Sequence, residues 1–469
     1  MNSTCVLTSA RAAPDNRAAV PSRDQPALFP RSFRKSFPSA VRGEGVYLWD
    51  AEGKRYLDFS GSAAVNFIGH GVREIGQAMA EQAARLEFVH SSQFVTPVAE
   101  EFAQELLEFA GENFRGGAVY FTSGGSEAVE TALKLARQYQ VESGEEKRFR
   151  ILSRRQSYHG ATLGALAVSG NVMRREMYLP MVREFEQAIP PNCYRCPYVC
   201  QDCGAKYAAD IERLLEAVPQ SGKAAAVILE PVSGATLGAA VPPTGYLEKV
   251  AAACARHGAL LIADEVMTGC GRTGRNFAVE HWGVAPDILV AGKGIASGYA
   301  PLGAVIANKK VVDAVAQGSG SFVHGFTYNA HPVAVAAGHA VLKRMKAQKL
   351  VAAASSTGAA DSAGAVLEAE LDTLQECRAV GDVRGIGMLR GVEFVADKAY
   401  KQPFPAERKF SSRVAQAAAA RGVLVYPMQG CVDGYAGDHL LIAPPAVITK
   451  EEIRWAVAEL RGAIEEVAG

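Results

Sequence analysis

Two short apolar runs, LLIAD at 260–264 and DILVAGK at 287–293, constrain this chain more than any other feature. Each carries four consecutive hydrophobic residues, so neither turns a polar face to water. Runs of that kind are strands buried on both sides, as in a parallel sheet covered by helices. Both end on a charged group, Asp264 in the first and Lys293 in the second. Open α/β sheets bind ligands beyond the carboxyl ends of their strands. An acid and an amine arriving there together are therefore candidate functional groups.

The alternation continues on either side. AVYFTS (118–123) precedes EAVETALKLARQY (127–139), and AAVILEPV (225–232) precedes GYLEKVAAACARHG (245–258). Strand-like and helical runs in turn predict an α/β fold with a mainly parallel central sheet covered by helices. Upstream, GVYLWDAEGKRYLDFSG (45–61) predicts a β-hairpin turning at Asp50–Gly53, and a helical pattern spans Pro97–Ala110. Downstream, a long alanine-rich helix follows His331. Three strand runs (GMLRGVEFV, GVLVYP, HLLIAPP) then mix with the helix FSSRVAQAAAARG, for which Gly422 is the expected C-cap. This predicts a second, smaller α+β domain. Residues 1–29, with arginines, prolines and no long apolar centre, are expected to be a disordered tail rather than a secretory signal.

Composition excludes several roles. The 469 residues hold 49 basic and 49 acidic side chains, so no net charge favours nucleic acid or a membrane surface. No apolar run reaches the length of a membrane span. Nine cysteines, an odd number in a long chain, fit reduced thiols in the cytoplasm. Four of them, Cys193, Cys196, Cys200 and Cys203, form two CxxC pairs. Such pairs can ligate zinc. The three-residue gap between them is much shorter than in zinc ribbons, so free thiols are expected and no metal site is assigned.

Thr122–Glu127 reads TSGGSE between a strand and a helix. Glycines let backbone approach a ligand, and a helix start offers free N–H groups to a phosphate. A phosphate cradle, a lysine and an aspartate together suit pyridoxal phosphate. A lysine amine can hold it as a Schiff base, and a carboxylate can keep its pyridine nitrogen protonated.

Eight blocks, in order, resemble the class III (fold type I) pyridoxal-phosphate aminotransferases: GVYLWDAEGKRYLDFSGS, FTSGGSEAVETALKLAR, SYHG, ILEPVSG, DEVMTGCGRTG, PDILVAGKGIASGYAPLGAV, HGFTYNAHPVAVAA and VRGIGMLRGVEF. The resemblance implies a large cofactor domain (89–335) and a smaller α+β domain built from both chain ends (30–88 and 336–469). It implies roles residue by residue. Lys293 is the Schiff-base lysine and proton carrier, and Asp264 partners the pyridine nitrogen. Val266 and Tyr158 take the two ring faces, and Gly125 and Ser126 hold the phosphate. Glu230 orients groups in the pocket. Thr327 reaches the phosphate of a partner subunit, so the active site is shared across a homodimer. The implied reaction moves an amino group from an amine or amino acid to a keto acid, pyruvate or 2-oxoglutarate, by a ping-pong cycle. An aminomutase or racemase on the same scaffold is the alternative, and a non-catalytic binding or regulatory protein ranks last.

The chain departs from the family in two places. Met267 stands where a glutamine is frequent. The stretch QGCVDGYAGDHLLIAPPAVI (429–448) has no arginine, although many members carry one there for the substrate carboxylate. Arg384 and Arg390 lie elsewhere, and Arg384 is expected to support structure. Small residues in SGSAAVNF suggest room for substrate.

Overall fold

Three strands come first along the chain: β1 (Ala40–Glu44), β2 (Tyr47–Asp50) and β3 (Arg55–Asp58). Seven follow: β4 (Ala118–Thr122), β5 (Arg148–Arg154), β6 (Gln187–Ala188), β7 (Lys223–Leu229), β8 (Leu260–Asp264), β9 (Ile288–Ala291) and β10 (Gly303–Ala307). The last five are β11 (Val380–Ile386), β12 (Leu389–Phe394), β13 (Val423–Leu424), β14 (Tyr426–Gln429) and β15 (Asp438–Ile442). The structure is a computed structural model that describes residues 27–198, 202–217 and 222–469. Most of the expected tail, and Cys200, lie outside the described residues. Residues 27–39 form neither helix nor strand.

Within the compact unit Ala40–Gly469, the strands form three sheets. The central one has the order β4-β10-β9-β8-β7-β5-β6. Its inner strands β5, β7, β8 and β9 run parallel, and β10 alone is antiparallel to its neighbours. β8 and β9 are buried at every residue, as their unbroken apolar sequence requires. Helices supply the covers. Gly125–Glu142 buries Ala128, Val129, Ala132, Leu135 and Ala136 at helical spacing against one face. Pro97–Ala110 begins with proline in its first turn, where the missing N–H is harmless, and buries Phe102, Leu106 and Phe109.

The predicted hairpin is present as β2 and β3, and β1 extends it to three strands. A strand from the far end of the chain completes this sheet: β13 pairs in parallel with β3, Val423 opposite Leu57. The third sheet, β11-β12-β15-β14, is antiparallel throughout. The helix before β13 ends one residue sooner than the sequence suggests. Phe410–Ala420 is capped by Arg421, and Gly422 follows at φ +90°, a left-handed turn that glycine accepts without strain. No helix among the described residues is long and apolar enough to cross a membrane.

Candidate active site

Register brings the functional groups together. In the parallel pairing Asp264 lies opposite Val290, and Leu229 lies opposite Ala263. Glu230, Asp264 and Lys293 therefore leave neighbouring strands at the same edge. Beyond β5 the chain delivers Tyr158 and His159 to that edge, and beyond β4 it turns into the helix that starts at Gly125. A cavity of about 200 Å³ opens there, lined by Gly125, Ser126, Tyr158, His159, Glu230, Asp264, Val266, Met267 and Lys293 among others.

Each group is held. Asp264 is buried, and its Oδ2 meets His159 Nδ1 at 2.7 Å, while Oδ1 accepts the Val266 N–H at 3.1 Å. The second histidine nitrogen, Nε2, is buried without a hydrogen-bond partner among the described residues. Glu230 accepts the Gly234 N–H at 3.1 Å. Arg154 ties down the same residue, donating to its carbonyl at 2.7 Å and facing its carboxylate at 3.5 Å. Burial raises the Glu230 carboxyl above its ordinary range, against the opposing pull of His159 and Arg154.

Lys293 sits at φ +44°, a left-handed conformation that costs a side-chain-bearing residue about 1–3 kcal/mol. Its carbonyl accepts the Ser297 N–H at 2.9 Å, which closes the turn. Its ammonium makes no hydrogen bond or ion pair among the described residues. Burial lowers its pKa to about 8, Asp264 and Glu230 pull the other way, and Arg272 and Arg174 add to the lowering. At neutral to slightly alkaline pH a useful fraction of this amine is free base and nucleophilic.

Close packing shapes the floor. A Cβ on Gly125 would stand 2.9 Å from Val266 Cγ1, so glycine lets the helix start lie directly on that valine. The N–H groups of Gly125 and Ser126, in the first turn of the helix, have no intrahelical acceptor. Ser126 Oγ accepts the Ala161 N–H at 3.0 Å, joining the helix start to the segment after Tyr158.

The family model for class-III aminotransferases matches residues 29–464. The chain belongs to the class-III aminotransferase family. It is 37% identical over 419 residues to the uncharacterized aminotransferase YodT of Bacillus subtilis, covering 89% of this chain and 93% of the relative. It is 36% identical to the adenosylmethionine-8-amino-7-oxononanoate aminotransferase of Geobacter sulfurreducens, with 92% of each chain covered. An (S)-enantioselective omega-transaminase from Thermomicrobium roseum superposes with a TM-score of 0.85 at 37% identity, over 94% of this chain and 96% of that one. This aminotransferase thus has the fold type I architecture, and the family is pyridoxal-phosphate-dependent.

Seven of the eight residues singled out from the sequence line one cavity: Gly125, Ser126, Tyr158, Glu230, Asp264, Val266 and Lys293. Thr327 is exposed and lines no part of it. Sequence reasoning gave no role to His159, although it stands beside Tyr158 in SYHG, nor to Arg154, an arginine at the end of an apolar strand. Arg384 donates to the carbonyls of Leu237 and Gly238 and pairs with Asp382 and Glu393. In the cysteine segment Cys196 Sγ lies 3.3 Å from Cys203 Sγ.

Proposed function

We propose that the enzyme moves an amino group from an amine or amino acid to a keto acid, pyruvate or 2-oxoglutarate, by a ping-pong cycle in which Lys293 bears the cofactor. One observation carries this reading: a lysine without a polar partner among the described residues, its pKa lowered to about 8, shares a cavity with a buried aspartate.

The donor set suits pyridoxal phosphate. Free N–H groups at Gly125 and Ser126 would hold its phosphate, and Asp264 would hold the ring nitrogen. Val266 and Tyr158 would enclose the ring, and Lys293 Nζ would bond its aldehyde carbon. The bound group supplies an electron sink for the substrate's α-carbon. The protein does the rest. His159 Nδ1, bonded to Asp264 Oδ2, orients that carboxylate. Lys293 Nζ, as the free base, would take the proton from one carbon and return it to another. Glu230, fixed by Arg154, orients groups beside Met267.

A homodimer in which Thr327 serves the neighbouring phosphate is part of the proposal, supported by the exposure of that threonine outside its own cavity. So is a reducing, cytoplasmic location, supported by an odd number of cysteines spread over a long chain. The domain division at 88 and 335 is also proposed, supported by the separate sheets.

Borohydride reduction followed by peptide mapping tests the central claim. Cofactor should be trapped on Lys293, and recovery on another lysine refutes it. For the dimer, Lys293→Ala subunits are mixed with Thr327→Ala subunits. One site of the heterodimer then carries both lesions and the other carries none. Activity should exceed that of either mutant homodimer.

A further inference from the structure

We propose that Arg174 anchors the substrate carboxylate, so that the enzyme takes keto acids and amino acids in preference to their uncharged counterparts. This deepens the amino-transfer reading and rests on it.

Arg174 belongs to a short helix, Val172–Arg175, capped by Asn171 Oδ1, which accepts the Arg174 N–H at 3.1 Å. Its guanidinium carbon lies 4.4 Å from the centroid of the Tyr158 ring, and Tyr158 lines the cavity. Its charge is felt at Lys293, where it adds to the lowering of the amine's pKa.

The cations near this site differ in one respect. Arg154 is engaged by Glu230. Arg272 donates to the carbonyls of Asn66, Ala443 and Pro444. Arg384 is held by two carbonyls and two carboxylates, and Arg390 by Glu368 and Gly385. The Arg174 side chain has no hydrogen bond and no ion pair among the described residues. Stacking on an aromatic ring leaves all five guanidinium N–H donors available, and their planar fork matches a carboxylate. The cavity already contains the acids Asp264 and Glu230. A substrate bearing its own carboxylate needs a cation at the rim to offset that charge.

The placement also answers the missing arginine at 429–448. The helix that carries Arg174 packs on that very segment. A Cβ on Gly434, at φ +100°, would stand 2.5 Å from Val172 Cγ2, and one on Gly430 would stand 3.3 Å from Met173 Cε. The loop therefore seats against the helix that carries Arg174, and the arginine lies over Tyr158 of the cavity lining.

The test uses cofactor-loaded wild type, Arg174→Met and Arg174→Lys, with pyruvate and acetaldehyde as acceptors. Acetaldehyde is pyruvate with hydrogen in place of the carboxylate. In Arg174→Met the ratio of kcat/KM for pyruvate to that for acetaldehyde should fall about tenfold or more, through the KM for pyruvate. Arg174→Lys should recover part of the loss. Calorimetric titration with propanoate, which does not react, should show binding weakened about tenfold in Arg174→Met. An unchanged ratio, or equal losses with both acceptors, overturns the proposal while leaving the amino-transfer reading intact. Wild type that loads cofactor but aminates none of pyruvate, 2-oxoglutarate and acetaldehyde removes that reading, and Arg174's role with it.

Discussion

The cavity has two walls built on opposite principles. One is made by the ends of β7, β8 and β9, where Glu230, Asp264 and Lys293 leave adjacent strands and every carboxylate has a named partner. The other is apolar. Val232, Ala235 and Met267 line it and pack with Ala64, Leu389, Leu441 and Ala443. Behind this wall the backbone is unusual, because Ser62, Ala63 and Ala64 all have positive φ, from +50° to +65°. Side-chain-bearing residues adopt that conformation at a cost, so something must hold it. That anchor is Asp58. It accepts from Ser60 Oγ at 2.8 Å, Ser62 N–H at 2.9 Å and Ser62 Oγ at 2.7 Å, and meets His70 Nε2 at 3.1 Å. Burial alone would raise the Asp58 carboxyl, but these hydrogen bonds hold it below its ordinary range. The charged wall is fixed by strand register. The turn behind the apolar wall is fixed by one buried carboxylate outside the cavity.

Four experiments bear on this contrast, the largest effect first. Asp264→Asn should lower kcat by two to three powers of ten or more while cofactor remains bound, as read from its absorption and from steady-state kinetics. A loss under tenfold would mean that the charged wall is structural. In the wild type, reaction of Lys293 in the cofactor-free protein with an amine-directed reagent should rise with pH about a midpoint near 8. Asp264 favours the protonated amine, so Asp264→Asn should move that midpoint to lower pH. Movement upward would break the assignment.

Asp58→Ala removes the anchor of the turn behind the apolar wall and leaves the buried Ser60 hydroxyl and the half-buried His70 ring without their acceptor. Unfolding in urea should show a loss of about 2–4 kcal/mol. The chemical step measured with a small amine should fall far less than in Asp264→Asn. Ala63→Gly has the smallest expected effect. It relieves left-handed strain of roughly 1–2 kcal/mol and gives back roughly half of that as unfolded-state entropy, leaving a net gain of about 0.5–1 kcal/mol. A loss of stability would show that the turn is not strained.

The two walls also differ in how far the sequence announces them. β8 and β9 are legible because burial on both faces leaves an unbroken apolar run, and the residue at the end of such a run is a functional candidate on topology alone. Asp264 and Lys293 are legible for that reason, Gly125 and Ser126 from the glycine-rich turn, and Tyr158, Glu230 and Val266 from the family resemblance; all seven line the cavity. The His159–Asp264 contact joins residues more than a hundred positions apart, so the histidine reads as one member of a short motif and its partner stays hidden. The left-handed turn is less legible still. Ser-Ala-Ala carries no turn signal, and its conformation depends on Asp58 and on Gly61, whose Cβ would lie 2.3 Å from the Ala443 carbonyl oxygen. Arg174 is one arginine among many until folding sets it over Tyr158 while giving Arg154, Arg272, Arg384 and Arg390 acceptors.

The pairing of β3 with β13 has a consequence for how the protein is made. Val423 leaves the ribosome about 370 residues after Leu57, which is roughly 20 to 70 seconds at ordinary elongation rates. Throughout that interval β3 has a free edge on the side where β13 will join it, and an unpaired edge is a template for the wrong partner. Its exposed tip carries Arg55 and Lys54, and charge at a strand edge discourages intermolecular pairing. A nascent chain stalled before residue 423 would keep that edge open, so a chaperone that binds the early hairpin should stay engaged until synthesis is nearly complete.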